Sequence, residues 1–541
     1  MTTKKKLMAI LLFIVSITLT MSPTRLMASP PHPSKLGRAP HDDVYKESPF
    51  KKPWNRSFAP IAATGSKEVL VLRCEFQPDT DPETTGDGIM TKDKAYFDDI
   101  GTKFNKYFMD NSYGSFDPKV TVSDKVYRLA NTMTHYGQGT ESSSKMIAMF
   151  HETVDLADAD IDFSKYDAFV IAHAGYGQEA DIARQGQGDT PNDIWSVYIG
   201  TTAKPVDSIT ITSFTVIPER EDQDNNPENS VLGIFAHEFG HQMGLPDLYD
   251  IDNSSSGIGD WGLMSHGAWL DDGNTPSMLC AWSRKYLGYI TPTPVNLPSS
   301  TITLGLAHES KDMLMVYVKD DGTTDQYFLI ENRAKQLWDA HQAGEGVLIW
   351  HIDDSVGSVT ANNVNANDFR RRVDLECANG IDSTGKDDLD YNDSTHKTSS
   401  QDHCYYLSGK NYFNSSTNPS SLAYGELNGN VSLRVTSEPG QAMQMILNKT
   451  TGVITTETKI TDAYTYPNPV RSGACRFRYN LHFIPSEVEI KIYNNGGKLV
   501  NKFDASTKFG ENDFVFFPLK FDGSFLNNGV YFYKINAIIK K

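Results

Sequence analysis

Cysteine is scarce in this chain. Its 541 residues include 5 cysteines, namely Cys74, Cys280, Cys377, Cys404 and Cys475, far apart and odd in number. No CxxC pair occurs, so neither a cysteine zinc site nor a dithiol redox motif is supported, and the chain is not a disulfide-stapled scaffold. Cys377 and Cys404 are the pair that could close a bridge in an oxidising compartment. Basic residues are also in deficit: 50 Lys and Arg stand against 68 Asp and Glu, for a formal net charge of -18. Such a surface repels phosphate, which argues against nucleic acid and anionic membranes as partners. There is no phosphate loop, no dinucleotide fingerprint, and no Ser-His-Asp or Cys-His set that can be defended. Beyond the N-terminus no apolar run is long enough to span a bilayer. Hydrophobic residues nevertheless make up 39% of the chain and are spread along it. That suffices for several packed cores and excludes a mostly disordered protein.

The N-terminus has three lysines ahead of an almost wholly apolar run from Leu7 to Thr20. The run is short for a membrane span, and Pro23 and Arg25 follow it. Small residues at Met27-Ala28-Ser29 offer a cleavage point. Residues 1–28 therefore have the form of a secretory signal peptide rather than an anchor, which points to a secreted, extracellular protein, cell-surface attachment being the alternative. Residues 29–66, rich in Pro, Lys and Arg, form a leader or short pro-segment. Strand-like order begins at Glu68–Phe76, helical spacing covers Ala95 to Tyr107, and Asp167–His173 and Ile194–Ile199 are further strands. After Tyr289 short alternating strands take over, at Met313–Val318, Gln326–Ile330 and Gly346–His351. An acidic loop runs from Asn379 to Asp402, and strand character returns over Val431–Leu447. A Thr-rich linker near residues 450–461 precedes a small all-β unit. In that unit Val488–Tyr493 alternates with period two before the turn Asn494-Asn495-Gly496-Gly497. The expected division is a catalytic domain over 67–292, a β-rich domain over 293–450 and an Ig-like domain over 451–541.

The most informative stretch is His237-Glu238-Phe239-Gly240-His241. On a helix, positions i and i+4 lie one turn apart on one face, so both imidazoles can meet a single metal ion. Glu238 stands beside them, placed to act as general base on a zinc-activated water. Val231, Leu232, Ile234 and Phe235 give the helix an apolar face. Gly244 can take the left-handed geometry that ends a helix, and Pro246 prevents its resumption. The chain then turns and brings Asp247 back as third ligand, with Asp250 and Asp252 as competitors. By chance HExxH arises in roughly 0.02 of chains of this length and composition, and HExxHxxGxxD in about 0.0001. Downstream, Met264 lies in a Gly-rich stretch, Gly259-Asp260-Trp261-Gly262-Leu263-Met264, where a Met-turn would pack beneath the metal. His266, two residues further on, is a candidate transition-state stabiliser.

The string from His237 to Asp250, together with Gly259 to Trp269, resembles the immune inhibitor A family of secreted bacterial zinc metallopeptidases. Asn111–Ser115, Glu331-Asn332-Arg333, Trp338-Asp339 and Gly346–Asp353 extend the resemblance over about Lys67 to Leu447. It implies an α+β zincin or metzincin-like catalytic domain, with a twisted mixed sheet and an active-site helix, followed by all-β domains. It implies one catalytic zinc held by His237, His241 and Asp247, with Glu238 as base, acting on protein or peptide substrates. It also implies calcium, for which Asp387, Asp388, Asp390 and Asp393 are candidates beside the plain reading of a solvated acidic loop. Tyr466-Pro467-Asn468-Pro469, the Asn494 turn and Asn528–Ile535 resemble type IX secretion sorting domains, which implies secretion machinery as a partner. Little sequence follows Ile535 for a further strand pair. Two rival functions stand against the peptidase: a surface-binding module that keeps a zinc-holding helix without turnover, and a zinc hydrolase of small molecules or glycans.

Overall fold

The computed structural model describes residues 26–30, 60–78, 80, 88–137, 142–180, 192–200, 202–221, 230–252, 254–295, 299–318, 325–391, 396, 398–422, 424, 431–449, 460–466, 475–481, 487–505, 510–516, 526 and 530–538. The predicted apolar h-region, most of the leader, the 450–459 linker and Asp393 lie outside them. Among the described residues no helix is long and apolar enough to cross a membrane.

The first half is α+β. Strands β1 (Leu26–Ala28), β2 (Gly65–Glu75), β3 (Phe116–Arg128), β4 (Ala168–Tyr176), β5 (Val197–Ile199) and β8 (Phe214–Arg220) form one sheet. A small hairpin, β6 (Lys204–Val206) and β7 (Ile209–Ile211), lies apart from it. The order is β1-β5-β8-β4-β2-β3. The β3, β2, β4 and β8 pairings are parallel, whereas β5 runs antiparallel to β8 and β1 antiparallel to β5. Three long helical segments cover it: α1 (Lys94–Asn111), α3 (Ser142–Ala157, after the short α2, Met133–Gly137) and α4 (Leu232–Gln242). Side chains of β2 alternate across the sheet, as a pleated strand requires. Val69 and Val71 join the core with α1 and α4, while Leu70, Leu72 and Cys74 face Met149, Phe150 and Val154 of α3.

Every residue of α4 is buried. Two glycines and two histidines in eleven residues make it a weak helix former, so tertiary packing holds it. Phe235 stacks on Phe104 of α1 with ring centroids 4.0 Å apart, and Phe239 meets the same ring edge-on at 5.0 Å. Truncating either to alanine would cost roughly 3–5 kcal/mol. The helix ends at the expected place: Met243 caps it and Gly244 takes φ +107°.

After α5 (Ala281–Tyr286), strands β9 (Thr293–Pro294), β11 (Leu314–Tyr317), β12 (Gln326–Arg333), β13 (Gly346–Asp353) and β14 (Val373–Leu375) form a five-stranded sheet. Strands β10 (Ser299–Gly305), β15 (Tyr412–Phe413), β16 (Val431–Val435) and β17 (Ala442–Lys449) form a four-stranded one. One face of the five-stranded sheet packs on the four-stranded sheet through residues such as Phe328, Ile330, Leu433 and Met445. Its other face, with Leu329, Leu348 and Trp350, belongs to the same core as Leu248, Trp261 and Met264. The core therefore runs across residue 292 without a break. The C-terminal unit pairs β18 (Ile460–Tyr466), β19 (Cys475–Leu481) and β22 (Gly510–Phe516) in one sheet. Its second sheet contains β20 (Glu487–Asn494), β21 (Leu499–Ala505) and β23 (Tyr531–Ile538). The hairpin expected at Asn494–Gly497 joins β20 to β21, with Gly497 at φ +76°.

The cysteine bridge is a correction. Cys377 and Cys404 are both buried free thiols, as are Cys74 and Cys280. Cys74 lies wholly inside the α3-side core, and burial pushes its thiol up to about 12.

Candidate metal centre

Helix α4 presents His237 and His241 one turn apart, with ring centroids 4.8 Å from each other. The Nδ1 of His237 bonds the Leu263 carbonyl at 2.8 Å, and that of His241 the Leu245 carbonyl at 2.9 Å. A carbonyl only accepts, so each Nδ1 carries a proton and each ring turns its Nε2 inward. Both Nε2 atoms lie 3.1 Å from the same atom, Oδ1 of Asp247. Burial drives the His237 ring toward its neutral form. Burial also acts to raise Asp247, but His241 and His237 beside it win and hold its carboxyl well below the usual range. Two ring nitrogens and one carboxylate oxygen thus converge on a single buried point. The donor set of two imidazole nitrogens and one carboxylate oxygen fits zinc.

Glu238 also comes within 4.8 Å of both imidazoles, but Asp247 is the carboxylate in closer contact with them. Among the described residues neither Glu238 oxygen accepts a hydrogen bond from another side chain. Burial first, then the charges of Asp247 and Glu179, raise its pKa well above the ordinary value. The Tyr198 backbone N–H works in the opposite direction. A buried carboxyl with a raised pKa is the environment in which a general base or acid is tuned toward neutrality.

The expected loop supports this centre. Met264 is buried, its sulfur packs against Gly240 between the two histidines, and its carbonyl accepts the Leu248 N–H at 2.7 Å. The same loop supplies the Leu263 carbonyl that orients His237. Asp250 and Asp252 do not join the imidazoles. Asp250 accepts from the Ser254 and Ser255 hydroxyls at 2.7 and 3.0 Å and from the Asp252 N–H at 3.2 Å. Its role is to shape the turn. His266 is buried beside Tyr249, with ring centroids 6.2 Å apart.

Two contributors escape sequence reasoning. The Tyr249 hydroxyl bonds Asp247; burial, then Asp247 and Glu238, push its pKa well above the ordinary value, so it keeps its proton. The second is Asn362, 115 residues away, whose Oδ1 accepts the Asp247 N–H at 2.7 Å and whose Nδ2 donates to Asp247 Oδ2 at 2.5 Å. Apolar periodicity carries no trace of either.

The acidic loop finds its partners within the protein. Asp387 accepts from the Leu389 and Asp390 amides at 2.8 and 3.2 Å. Asp388 bonds His403 and Asn379 at 3.1 and 2.9 Å, and Asp390 pairs with Arg371 at 2.6 Å. These bonds account for the three carboxylates, and calcium gains no support there. The other motifs carrying the resemblance form a buried charge network. Glu331 pairs with Arg284 and Arg333 and accepts from Trp350 Nε1 at 2.8 Å, while Arg333 grips both oxygens of Asp339 at 2.5 Å. Asn111 accepts the Leu279 N–H at 2.8 Å, and Tyr113 takes a bond from Arg284 at 2.6 Å.

A buried helix offering two imidazoles to a returning carboxylate, with a buried glutamate alongside, is the arrangement of a metallopeptidase domain. Known proteins agree. Residues 160–290 match the profile described as immune inhibitor A peptidase M6, catalytic domain, and residues 464–541 that of a secretion system C-terminal sorting domain. The chain thus carries a peptidase M6 domain and, at its C-terminal end, a sorting domain whose match continues to residue 541. Immune inhibitor A of Bacillus thuringiensis subsp. alesti is 27% identical over 222 residues, or 34% of this chain and 31% of that protein. Pre-pro-metalloprotease PrtV of Vibrio cholerae serotype O1 (strain M66-2) is 27% identical over 243 residues, or 37% of this chain and 25% of that protein. The match thus spans a third or less of these relatives' length. Among solved structures, wild-type OgpA from Akkermansia muciniphila covers 87% of this chain and 98% of its own at 10% identity, with a TM-score of 0.29. Dimeric latent PorU from Porphyromonas gingivalis covers 19% of this chain and 10% of its own at 21% identity, with a TM-score of 0.14. Superpositions that weak carry no argument.

Proposed function

We propose that this protein is an exported zinc endopeptidase of metzincin type, holding one catalytic zinc through His237, His241 and Asp247. The carrying observation is the approach of both Nε2 atoms to Asp247 Oδ1 at 3.1 Å. Zinc bound there supplies Lewis acidity, lowering the pKa of a water and polarising the scissile carbonyl. Glu238, held desolvated beside the imidazoles, takes the water proton on a carboxylate oxygen and returns it to the leaving amine. Met264 packs beneath the histidines and keeps their rings in register. His266 stands as the donor toward the developing oxyanion, while the Tyr249 hydroxyl stays on Asp247. The outer side of β5 is taken by β1 in antiparallel register, so an extended peptide would pair with β5 only in the place of β1. The sorting domain supports export through a dedicated secretion system, with proteins outside the cell as substrates.

Digestion of casein tests the reading. The purified chain is expected to contain one zinc, to lose activity with a chelator and to regain it with zinc. Glu238→Gln is expected to keep the zinc and lose at least about 100-fold in kcat. A metal-free sample that digests casein as fast as the zinc-loaded protein overturns the proposal, as does an equally fast Glu238→Gln variant.

A further inference from the structure

We infer that Asn362 is a positioning residue for the metal centre, so that the β-rich half of the chain completes the site built on α4. This rests on the proposed role of Asp247. Oδ1 of Asp247 faces both imidazoles, and its other oxygen, Oδ2, is bonded by Asn362 Nδ2 at 2.5 Å. The same amide accepts the Asp247 backbone N–H at 2.7 Å. The side chain therefore fixes both the backbone and the carboxylate plane of one residue and leaves a single oxygen for the metal. Asn362 is 4% exposed, so water does not compete for these bonds. Being neutral, the amide orients the carboxylate without withdrawing the negative charge that a metal ligand needs, as Lys or Arg in its place would.

The loop carrying it is built for this. After β13 the chain makes a single 3-10 turn, Val359–Ala361, capped by Ser358, and Asn362 ends it at φ +54°. Asparagine is among the few side-chain-bearing residues that accept this conformation readily. Three residues on, Asn365 repeats the grip, donating to the Leu248 carbonyl at 3.0 Å and to the Val373 carbonyl at 2.8 Å. Leu248 is in turn tied to the Met264 carbonyl. The segment that delivers Asp247 is thus held between the Met264 loop and the β-rich half. Partners of this kind, one bond behind a metal ligand, orient it and tune its affinity.

Two variants of the full chain separate the parts of the claim. Both Gly and Asp tolerate the left-handed backbone. Asn362→Gly removes both bonds, whereas Asn362→Asp keeps an acceptor for the Asp247 N–H and sets a second carboxylate against Oδ2. Zinc affinity, read by competition with a chromophoric chelator, is expected to fall roughly 10–100-fold in both. In the metal-free proteins, hydrogen exchange at the Asp247 amide is expected to accelerate in Asn362→Gly and to stay slow in Asn362→Asp. Parental zinc affinity in either variant overturns the inference, as does unchanged exchange in Asn362→Gly. If the parent itself takes up no zinc, the metallopeptidase reading fails, while the exchange experiment still decides whether Asn362 holds Asp247.

Discussion

The Met264 sulfur lies 2.5 Å from the point that a Cβ on Gly240 would occupy. Gly240 sits between the two histidines, so the gap left by its missing side chain is where the sulfur packs. In an ordinary helix interior, Gly→Ala stabilises by roughly 0.5–1 kcal/mol. Here Gly240→Ala is expected to destabilise by about 1–3 kcal/mol through overpacking and to loosen zinc binding, because the displaced sulfur presses on both rings. Chemical denaturation of the metal-free protein measures the first effect. Adding Met264→Ala to Gly240→Ala should recover part of the loss, a coupling that two independent sites would not show. Stabilisation by Gly240→Ala would contradict the packing described.

Arg333 anchors the buried network that joins β12 to α5. Both oxygens of Asp339 lie 2.5 Å from its guanidinium, and Glu331 lies 3.2 Å away. Among the described residues, Arg333→Met leaves the buried Asp339 carboxylate with neutral donors, the Met278 N–H at 3.2 Å and the Ser277 hydroxyl at 3.5 Å. The expected loss is about 3–5 kcal/mol, read as a lower urea midpoint at an unchanged slope. A midpoint within error of the parent would mean that this network contributes little.

These positions mark the limit of what the chain announces about itself. Helix α4 was legible because two histidines, a glutamate, an apolar face and a glycine stop agree at every level. Met264 was legible through its distance from that helix. Asn362 was not, because its contact with Asp247 spans 115 residues and depends on the path of the β13–β14 connection. Strand β3 is hard to read in the sequence, because it is an edge strand of mixed exposure whose alternation Lys119, Asp124 and Lys125 break. Helices give way to short strands after Tyr286, and Leu348 and Trp350 of those strands share one core with Met264. Composition raised a Cys377–Cys404 bridge, since pairing by separation alone cannot see where side chains point.

His173, on β4, sets a pH limit on stability away from the metal centre. It is fully buried beside Phe76, with Nδ1 on the Ala174 carbonyl at 2.8 Å and, among the described residues, no partner for Nε2. Burial lowers its pKa to about 4 from the ordinary 6.5. The unfolded chain therefore binds a proton between those values that the folded chain refuses, and stability rises with pH across that window. The contribution is complete above pH 6.5 and fades as pH falls toward 4, by about 3 kcal/mol in all. His173→Gln removes the titration. Urea unfolding of the metal-free parent and variant between pH 4 and 7 should give curves that diverge toward neutrality, the parent's being steeper by up to one proton. Parallel curves would mean that His173 accepts its proton in the folded state, and that the cavity around Nε2 is wetter than its burial indicates.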